Sequence, residues 1–267
     1  RAFIFLKSEG KEPRVKSLNF NLYPVKGRYI IIIMMRRFAI VFLVSICLFP
    51  HSIKEKIEER WSSLKTFQAV LVVKQAKTSK LTQLDPDYKY LFNARKTSIY
   101  YQAPHFLRLE GTPYGLLRVI YIINSNRFIV LVPGIGYKKE DKFRSIDRKT
   151  LSIDFGIIGP DFWNDYSLKV VEETKNSLKI EATPKDNGRK RIIWLNPDDL
   201  SIQRSWKLNS LGRLNVSYVF DDFYKDPSGL VIPRRIKMFS PDGELVAEGE
   251  FQSIKINSPL PPNFFSP

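Results

Sequence analysis

The sequence predicts a mainly β protein with few helices, in which a single large antiparallel sheet curls into a barrel or half-barrel. An N-terminal helix and a short helical insert are expected to cover this sheet. Strand-like segments follow one another at roughly ten-residue spacing, with turn residues between them. The later segments alternate apolar and polar side chains, which is typical of strands with one buried face. About a dozen such strands exceed what an open sheet carries without curling.

The composition suits one large domain and restricts its chemistry. The chain has 267 residues, of which 43% are hydrophobic, so it is able to bury a sizeable core. One cysteine, two histidines and 13 glycines argue against a Cys/His metal cluster, a disulfide framework and a glycine-rich nucleotide loop. We therefore expect neither a metal nor a cofactor.

Basic residues outnumber acidic ones, with 43 Lys and Arg against 27 Asp and Glu. After the apolar N-terminal run, the surplus basic residues are distributed along the whole sequence. Their densest cluster is RKR at 189–191. The pattern contains no known nucleic-acid-binding module, so we expect no nucleic-acid partner. The charge favours attraction to an anionic membrane surface or to an acidic partner, with solvated strand faces as the alternative.

The N-terminal region has the layout of an export signal. The residues MMRR at 34–37 are followed by the apolar run FAIVFLVSICLF at 38–49 and then by Pro50. A basic start followed by about a dozen apolar residues is typical of a secretory signal peptide, whereas a bilayer span needs about 20. The sequence predicts a signal peptide at 34–52, or an uncleaved inner-membrane anchor, preceded at 1–33 by a non-native extension.

Cys47 lies inside this apolar run. Lipidation of a cysteine needs small residues directly before it, and the bulky Ile46 fits that requirement poorly. We expect Cys47 to be a residue of the removed signal, with a lipid anchor as the alternative. Either way the rest of the chain lacks cysteine, which suits an oxidising compartment.

The first predicted element after the signal is an amphipathic helix at 53–66, where Ile53, Ile57, Trp61 and Leu64 share one face. β-Branched residues and alternation then replace the helical spacing. We expect strands at 67–77, 88–99, 106–111, 118–124, 127–132 and 136–141, and a second series at 166–173, 177–184, 189–196, 202–209, 213–222, 232–240 and 245–257.

Residues 149–165 (KTLSIDFGIIGPDFWND) interrupt the strand rhythm. Their apolar side chains would be costly to expose together, so we expect one or two short helices that cover the sheet, with a connecting loop as the alternative. A large sheet covered by so little favours an apolar cavity able to hold a lipid chain. A fully packed core is the other interpretation, and periodicity does not distinguish the two.

Four segments resemble those of a known family. They are LKTFQA at 64–69, YQAPHFLRL at 101–109, NSNRFIVLVP at 124–133 and NSPLPPNF at 257–264. Each is weak alone and none is catalytic. Their order from residue 53 to residue 265, together with the order of elements, resembles the LolA/LolB-like superfamily of periplasmic lipoprotein carriers and outer-membrane receptors.

The resemblance implies that residues 53–267 form a single LolA-like half-barrel domain with a helical lid over a hydrophobic cavity. It implies a periplasmic chaperone for lipoprotein transport in outer-membrane biogenesis. The expected ligands are acylated lipoproteins or another lipid. An inner-membrane release complex and an outer-membrane acceptor would be its partners, and we expect a monomer.

The branch of the superfamily stays open. In the carrier branch a basic residue before the strand's proline helps to hold the lid, and here that position is Ala103. The stretch RLEGTPYG at 108–115 is closer to the receptor-like branch, which is usually anchored through a lipidated cysteine. An envelope stress sensor with the same fold is a further alternative.

Catalysis has little support in the residues. His51 lies at the exit of the predicted signal, and His105 stands beside Pro104 at the start of a strand. A Ser-His-Asp or Cys-His arrangement would depend on His105 alone, and no G-x-S-x-G turn is present. We therefore expect a binding protein that is not an enzyme and has no catalytic residues.

The predicted functional residues belong to two sets. The lid set combines apolar residues of the first helix and the insert, and the cavity set takes apolar residues of the strands. The lid residues are Ile57, Trp61, Phe155, Ile157, Ile158 and Phe162. The residues expected to line the lipid-binding cavity are Leu71, Val73, Leu107, Ile120, Ile122, Leu214, Val216, Tyr218 and Phe220.

Overall fold

The strands take up most of the chain that the structure describes. This structure is a computed structural model, and it describes residues 53–84, 88, 92, 94–124, 127–142, 154–159, 162–186 and 188–267. The predicted extension at 1–33 and the predicted signal at 34–52, with Cys47 and His51, lie outside the described residues. Parts of the predicted insert do so as well.

In the first half of the chain, two helices and six strands have bounds within the described residues. The helices are α1 (Ile53–Ser62) and α2 (Thr78–Leu84). Short 3-10 turns at Pro113–Gly115 and Pro133–Ile135 follow the third and fifth strands. The strands are β1 (Thr66–Ala76), β2 (Lys96–Gln102), β3 (Phe106–Gly111), β4 (Val119–Asn124), β5 (Arg127–Val132) and β6 (Tyr137–Lys142).

The second half begins with a one-turn helix, α3 (Phe162–Asp165), which leads directly into a strand. Seven strands follow, joined by turns. They are β7 (Tyr166–Glu173), β8 (Leu178–Pro184), β9 (Arg191–Leu195), β10 (Ile202–Leu208), β11 (Leu214–Lys225), β12 (Val231–Phe239) and β13 (Leu245–Ile256).

These thirteen strands form one antiparallel sheet in the order β6-β5-β4-β3-β2-β1-β13-β12-β11-β10-β9-β8-β7. The first and last strands pair at its centre, from Phe67 opposite Ile256 to Ala76 opposite Ala247. The chain therefore runs from the centre to the β6 edge, crosses to the β7 edge, and returns to the centre. The sheet is open, because β6 and β7 are not paired with each other.

One long-range contact demonstrates how strongly the sheet curls. His105, in the turn between β2 and β3, has its Nε2 atom 3.9 Å from Oδ2 of Asp165, directly before β7. In the strand order β2 and β7 are eight positions apart, which in a flat sheet would separate them by roughly 38 Å. The predicted fold class, a mainly β half-barrel with few helices, is confirmed.

The strand predicted at 88–99 is wrong in its first part. Tyr88 and Phe92 are helical, and β2 begins only at Lys96. These two aromatic residues are four positions apart, so they lie on one face of a helical turn and both are buried in the core. The helix α2 was not predicted either.

Candidate functional site

One face of the sheet, here called the inner face, carries a continuous apolar surface. It is built from alternate residues of the strands, because successive side chains of a strand point to opposite faces. These residues belong to one cluster and are at most 4% exposed. The strands β1, β2, β3, β8, β9, β11 and β13 contribute Phe67, Leu71, Ile99, Tyr101, Leu107, Leu109, Ile180, Ile193, Val216, Tyr218, Phe220 and Phe251.

The helix α1 covers one part of the inner face. Ile57 and Trp61 are buried on it, four residues apart on one side of the helix. Nε1 of Trp61 donates a hydrogen bond to the carbonyl oxygen of Leu200 at 3.2 Å. Nε of Arg60 donates to the carbonyl oxygen of Asp199, also at 3.2 Å. Both acceptors lie in the turn between β9 and β10, so α1 is attached to this turn.

Residues 154–159, here called the strap, cover the centre of the inner face. Phe155, Ile157 and Ile158 are all buried. The ring of Phe155 packs edge-on against Phe251 of β13, with 6.4 Å between the ring centroids. The strap comes from the connection between the two sheet edges and is not itself a strand.

Two glycines allow the strap to lie this close to the sheet. A Cβ atom on Gly156 would lie 2.5 Å from Cγ of Pro233, and the residue has a φ of +76°. A Cβ atom on Gly159 would lie 2.6 Å from the hydroxyl oxygen of Tyr101. Larger residues at either position would push the strap away from the inner face.

All six predicted lid residues are buried in the same cluster as the inner face. The last of them, Phe162 in α3, stacks on Tyr166 at the start of β7, with 4.6 Å between the ring centroids. A third covering segment was missed, because Leu81 of α2 and the helical residues Tyr88 and Phe92 also belong to this cluster. The sequence did not distinguish a fully packed core from an unfilled cavity. In the structure these residues are packed in one cluster.

The structure brings five of the predicted cavity residues together on the inner face: Leu71, Leu107, Val216, Tyr218 and Phe220. Val73 is half-buried and packs against this cluster. Leu214, at the start of β11, is half-buried and belongs to neither of the two core clusters of the described residues.

The structure corrects the predicted position of Ile120 and Ile122, which do not lie on the inner face. They lie in a second cluster on the opposite face, called the outer face, and their neighbour Ile123 belongs to the inner-face cluster instead. In β4 (VIYIIN) both faces are apolar, so alternation does not indicate which one is inward. The C-terminal residues Phe264 and Phe265 cover the outer face there.

The C-terminal tail is attached to the outer face through a charged group. Nη1 of Arg108 donates to the carbonyl oxygen of Phe264 at 2.6 Å, and its guanidinium lies 4.6 Å from the centre of the Phe264 ring. Nε of Arg108 donates to Glu110 at 2.5 Å, and Arg118 donates to the other carboxylate oxygen of Glu110. Burial raises the pKa of Glu110, but the hydrogen bonds from both arginines outweigh it and the pKa lies below its ordinary value.

The inner face also contains a buried polar group. Nη1 of Arg191, the first residue of β9, donates to Oδ1 of Asp154 in the strap at 2.5 Å. Nearby, the hydroxyl groups of Tyr218 and Tyr88 share a hydrogen bond of 2.7 Å. The polar group therefore joins the sheet both to the strap and to the helical segment that contains Tyr88.

Electrostatics couple these side chains. Burial lowers the pKa of Arg191, but the charge and hydrogen bond of Asp154, together with Tyr166 and Tyr218, outweigh burial and hold the pKa well above its usual range. Burial raises the pKa of Tyr218, and the charge of Asp154 and the neighbouring Tyr88 raise it further. Arg191 is therefore charged and Tyr218 neutral at physiological pH.

Sequence reasoning missed this group. In the sequence Arg191 belongs to the basic cluster RKR at 189–191, and β9 (RIIWL) is apolar on both faces, so alternation does not indicate its inward side. The available signal was Asp154, an acid within the apolar stretch that the strap comes from. Lys207 lies opposite Arg191 in the β9–β10 pairing and is also buried.

The described residues include a single histidine, His105, and no cysteine. Among them no group of three or more His, Cys, Asp or Glu side chains is arranged to hold a metal ion. His105 lies near Asp165 at the rim of the sheet. No helix in the described part of the chain is both long and apolar enough to cross a membrane.

Comparison with known proteins gives structural matches only. No protein-family model and no curated protein matches the sequence. A LolA superfamily protein from Nitrosomonas europaea is similar with a TM-score of 0.56 and 15% identity, over 80% of this chain and 97% of that one.

Two further structures match with TM-scores of 0.50. One is a proposed outer membrane lipoprotein-sorting protein domain from Vibrio parahaemolyticus, at 12% identity over 79% of this chain and 94% of that one. The other is a DUF1329 family protein from Desulfovibrio piger, at 11% identity over 79% of this chain and 93% of that one. At these identities the likeness concerns the fold, and the chain has the LolA-like fold.

Proposed function

We propose that this chain is an exported protein of the bacterial envelope that binds acyl chains on its inner face, for the transfer of lipoproteins to the outer membrane. It acts by binding and is not an enzyme. The observation that carries the proposal is a broad apolar sheet face covered by segments that are not part of the sheet. The fold it shares with a LolA superfamily protein and a proposed lipoprotein-sorting domain supports the same proposal.

The energies make an exchange between the strap and a lipid feasible. Moving Phe155, Ile157 and Ile158 away from the sheet costs roughly 5–9 kcal/mol, at about 1.5–3 kcal/mol for each side chain. An acyl chain of about sixteen carbons gains roughly 12 kcal/mol on burial, at about 0.8 kcal/mol per CH₂. One long acyl chain therefore offsets the displacement of the strap, and a ten-carbon chain, with a gain of roughly 8 kcal/mol, still lies within the range of that cost.

The test is the lipid content of the protein purified from a bacterial periplasm, measured by mass spectrometry of the extracted lipids. Val216 is buried on the inner face of β11, and its neighbour Ser217 points to the outer face. We expect Val216→Glu to lose the bound lipid and Ser217→Glu to keep it, with both variants secreted. Unchanged lipid in the Val216→Glu variant would contradict the proposed binding face.

One observation favours the receptor-like alternative, in which the protein works at a membrane surface. Leu116 is 81% exposed after β3 and Ile135 is 64% exposed after β5. The two turns are neighbours, because a Cβ atom on Gly134 would lie 3.3 Å from Cδ2 of Leu117. Exposed apolar side chains that lie together are typical of sites that contact a membrane or a protein.

A further inference from the structure

Arg191 has hydrogen-bonding capacity that the protein leaves unused. Its side chain is 0% exposed. A guanidinium has five N–H donors, and here only Nη1 has an acceptor, Oδ1 of Asp154. Among the residues that the structure describes, Nε and Nη2 of Arg191 have no hydrogen-bond partner, and neither does Oδ2 of Asp154. The pair is therefore joined by a single hydrogen bond, although both groups could form a two-bond pair.

Such an arrangement is a poor way to stabilise a fold. Burying a charge is costly, and the attraction within an ion pair offsets that cost only when the remaining donors and acceptors are satisfied. Apolar residues of similar size would often give equal or greater stability. Two unsatisfied donor nitrogens on a fully buried cation are more typical of a site that binds an anion with two oxygens, which the planar guanidinium matches.

The position of Arg191 specifies what kind of anion fits. On the inner face its neighbours along β9 are the apolar Ile193 and Leu195. Tyr166 and Tyr218 lie close enough to influence the pKa of Arg191. A cation at the end of an apolar row, with hydroxyl groups nearby, complements a molecule that has an oxyanion at one end and an apolar chain behind it.

We infer that Arg191 binds the oxyanion head group, a carboxylate or a phosphate, of an acyl-chain ligand, and that this head group takes the place of Asp154. The inference rests on the proposed function, because the acyl chain needs the inner face. It adds a chemical class of ligand, the anionic amphiphile, and a residue that selects it.

The exchange has a structural consequence. Asp154 belongs to the strap, and its bond to Arg191 connects the strap to β9. A ligand whose head group binds the guanidinium of Arg191 breaks the hydrogen bond to Asp154. The strap is then no longer held to β9 at the place where the acyl chain of the ligand has to bind. Uncharged lipids lack this means of releasing the strap, so the site discriminates against them.

The test compares matched ten-carbon ligands by isothermal titration calorimetry with the full chain at pH 8. Decanoate and decyl phosphate carry the oxyanion, and 1-decanol lacks it. Acetate and inorganic phosphate carry the oxyanion without the chain. We expect Arg191→Gln to weaken decanoate and decyl phosphate by at least about tenfold and to change 1-decanol by less than about twofold. Arg204→Gln, which alters an exposed arginine of the neighbouring strand, is the matched control and should change no ligand.

Asp154→Asn provides a second, opposite expectation. It keeps the shape of the side chain but removes the charge that competes for Arg191, so decanoate should bind more tightly than to the wild type. A purely structural pair would weaken binding in both variants. If Arg191→Gln does not fold, the Asp154→Asn variant is sufficient to test the inference. Decanoate binding to Asp154→Asn that is unchanged or weaker than in the wild type overturns it.

The remaining outcomes separate this inference from the proposed function. Equal loss of decanoate and 1-decanol in Arg191→Gln overturns the head-group site and leaves acyl binding in place. Acetate or inorganic phosphate binding as tightly as the ten-carbon ligands also overturns it, because the site would then recognise free anions. Failure of all three ten-carbon ligands to bind the wild type overturns both proposals.

Discussion

The glycine in the middle of the strap tests how closely the strap lies against the sheet. Gly156 and Gly212 have φ values of +76° and +73°, but a Cβ atom on Gly212 would meet nothing within 4 Å. We expect both alanine variants to lose about 1–2 kcal/mol of unfolding free energy through the left-handed backbone. Gly156→Ala should lose about 1–3 kcal/mol more, because its Cβ atom would overlap Pro233.

Urea unfolding followed by circular dichroism measures both variants, and Gly212→Ala is the control for backbone strain. Equal losses in the two variants would contradict the close packing of the strap on β12. Decanoate binding to Gly156→Ala offers a second measurement, because a strap lifted from the sheet should yield to a ligand more easily.

Glu110 gives the outer face a pH dependence. Its pKa in the folded protein lies below its ordinary value of 4.5. The stability it contributes is therefore fully present above pH 4.5 and is lost as the pH falls through the lower, folded value. We expect the wild type to lose more unfolding free energy than Glu110→Gln between about pH 6 and pH 3.

Urea unfolding at several pH values checks this expectation. Glu58→Gln, on the exposed side of α1, is the control and should follow the wild type. An identical pH profile for Glu110→Gln and the wild type would show that the group holding the C-terminal tail does not depend on this carboxylate.

Among the elements, the turns after β3 and β5 expose large apolar side chains beside basic ones. Leu116 and Ile135 are exposed, and Arg118 and Lys138 are exposed close to them in sequence. We expect the double variant Leu116→Gln/Ile135→Gln to bind vesicles of phosphatidylcholine and phosphatidylglycerol at least about tenfold more weakly, because two apolar side chains no longer enter the bilayer.

Vesicle flotation measures this binding. Leu211→Gln is the matched control, since Leu211 is 76% exposed in the turn between β10 and β11 and lacks the neighbouring apolar turn. Equal weakening in the control, or unchanged binding of the double variant, would contradict a membrane contact at these two turns. All three residues are exposed, so the fold should be unaffected.

The predictability of each element follows from the pattern of its side chains. Strands with one polar face, such as β8 and β11, were predicted with the correct inward side, because the alternation of apolar and polar residues is a local property. β4 and β9 are apolar on both faces, and there the inward side of Ile120, Ile122 and Arg191 was missed or wrong. The helical conformation of Tyr88 and Phe92 was missed because aromatic residues favour strands when considered without their spacing.

For the molecule as a whole, the strand order explains why a strap exists. The chain leaves the sheet at the β6 edge and re-enters at the β7 edge, so the connection between Lys142 and Tyr166 has to pass from one edge to the other. Part of it lies across the inner face, where it buries apolar residues of its own. The cover is therefore a consequence of the topology, because its two ends lead to the two edges of the sheet.

The amino-acid sequence alone determined that the chain is a long antiparallel meander with one apolar face and a few covering segments, because these properties depend on periodicities within ten or so neighbouring residues. Only the tertiary structure decided that β1 pairs with β13, that the C-terminal tail covers β4, and that Asp154 meets Arg191. Each of these contacts joins residues far apart in the chain. The curl of the whole sheet decides which of these distant residues come into contact. A local sequence pattern does not encode that curl.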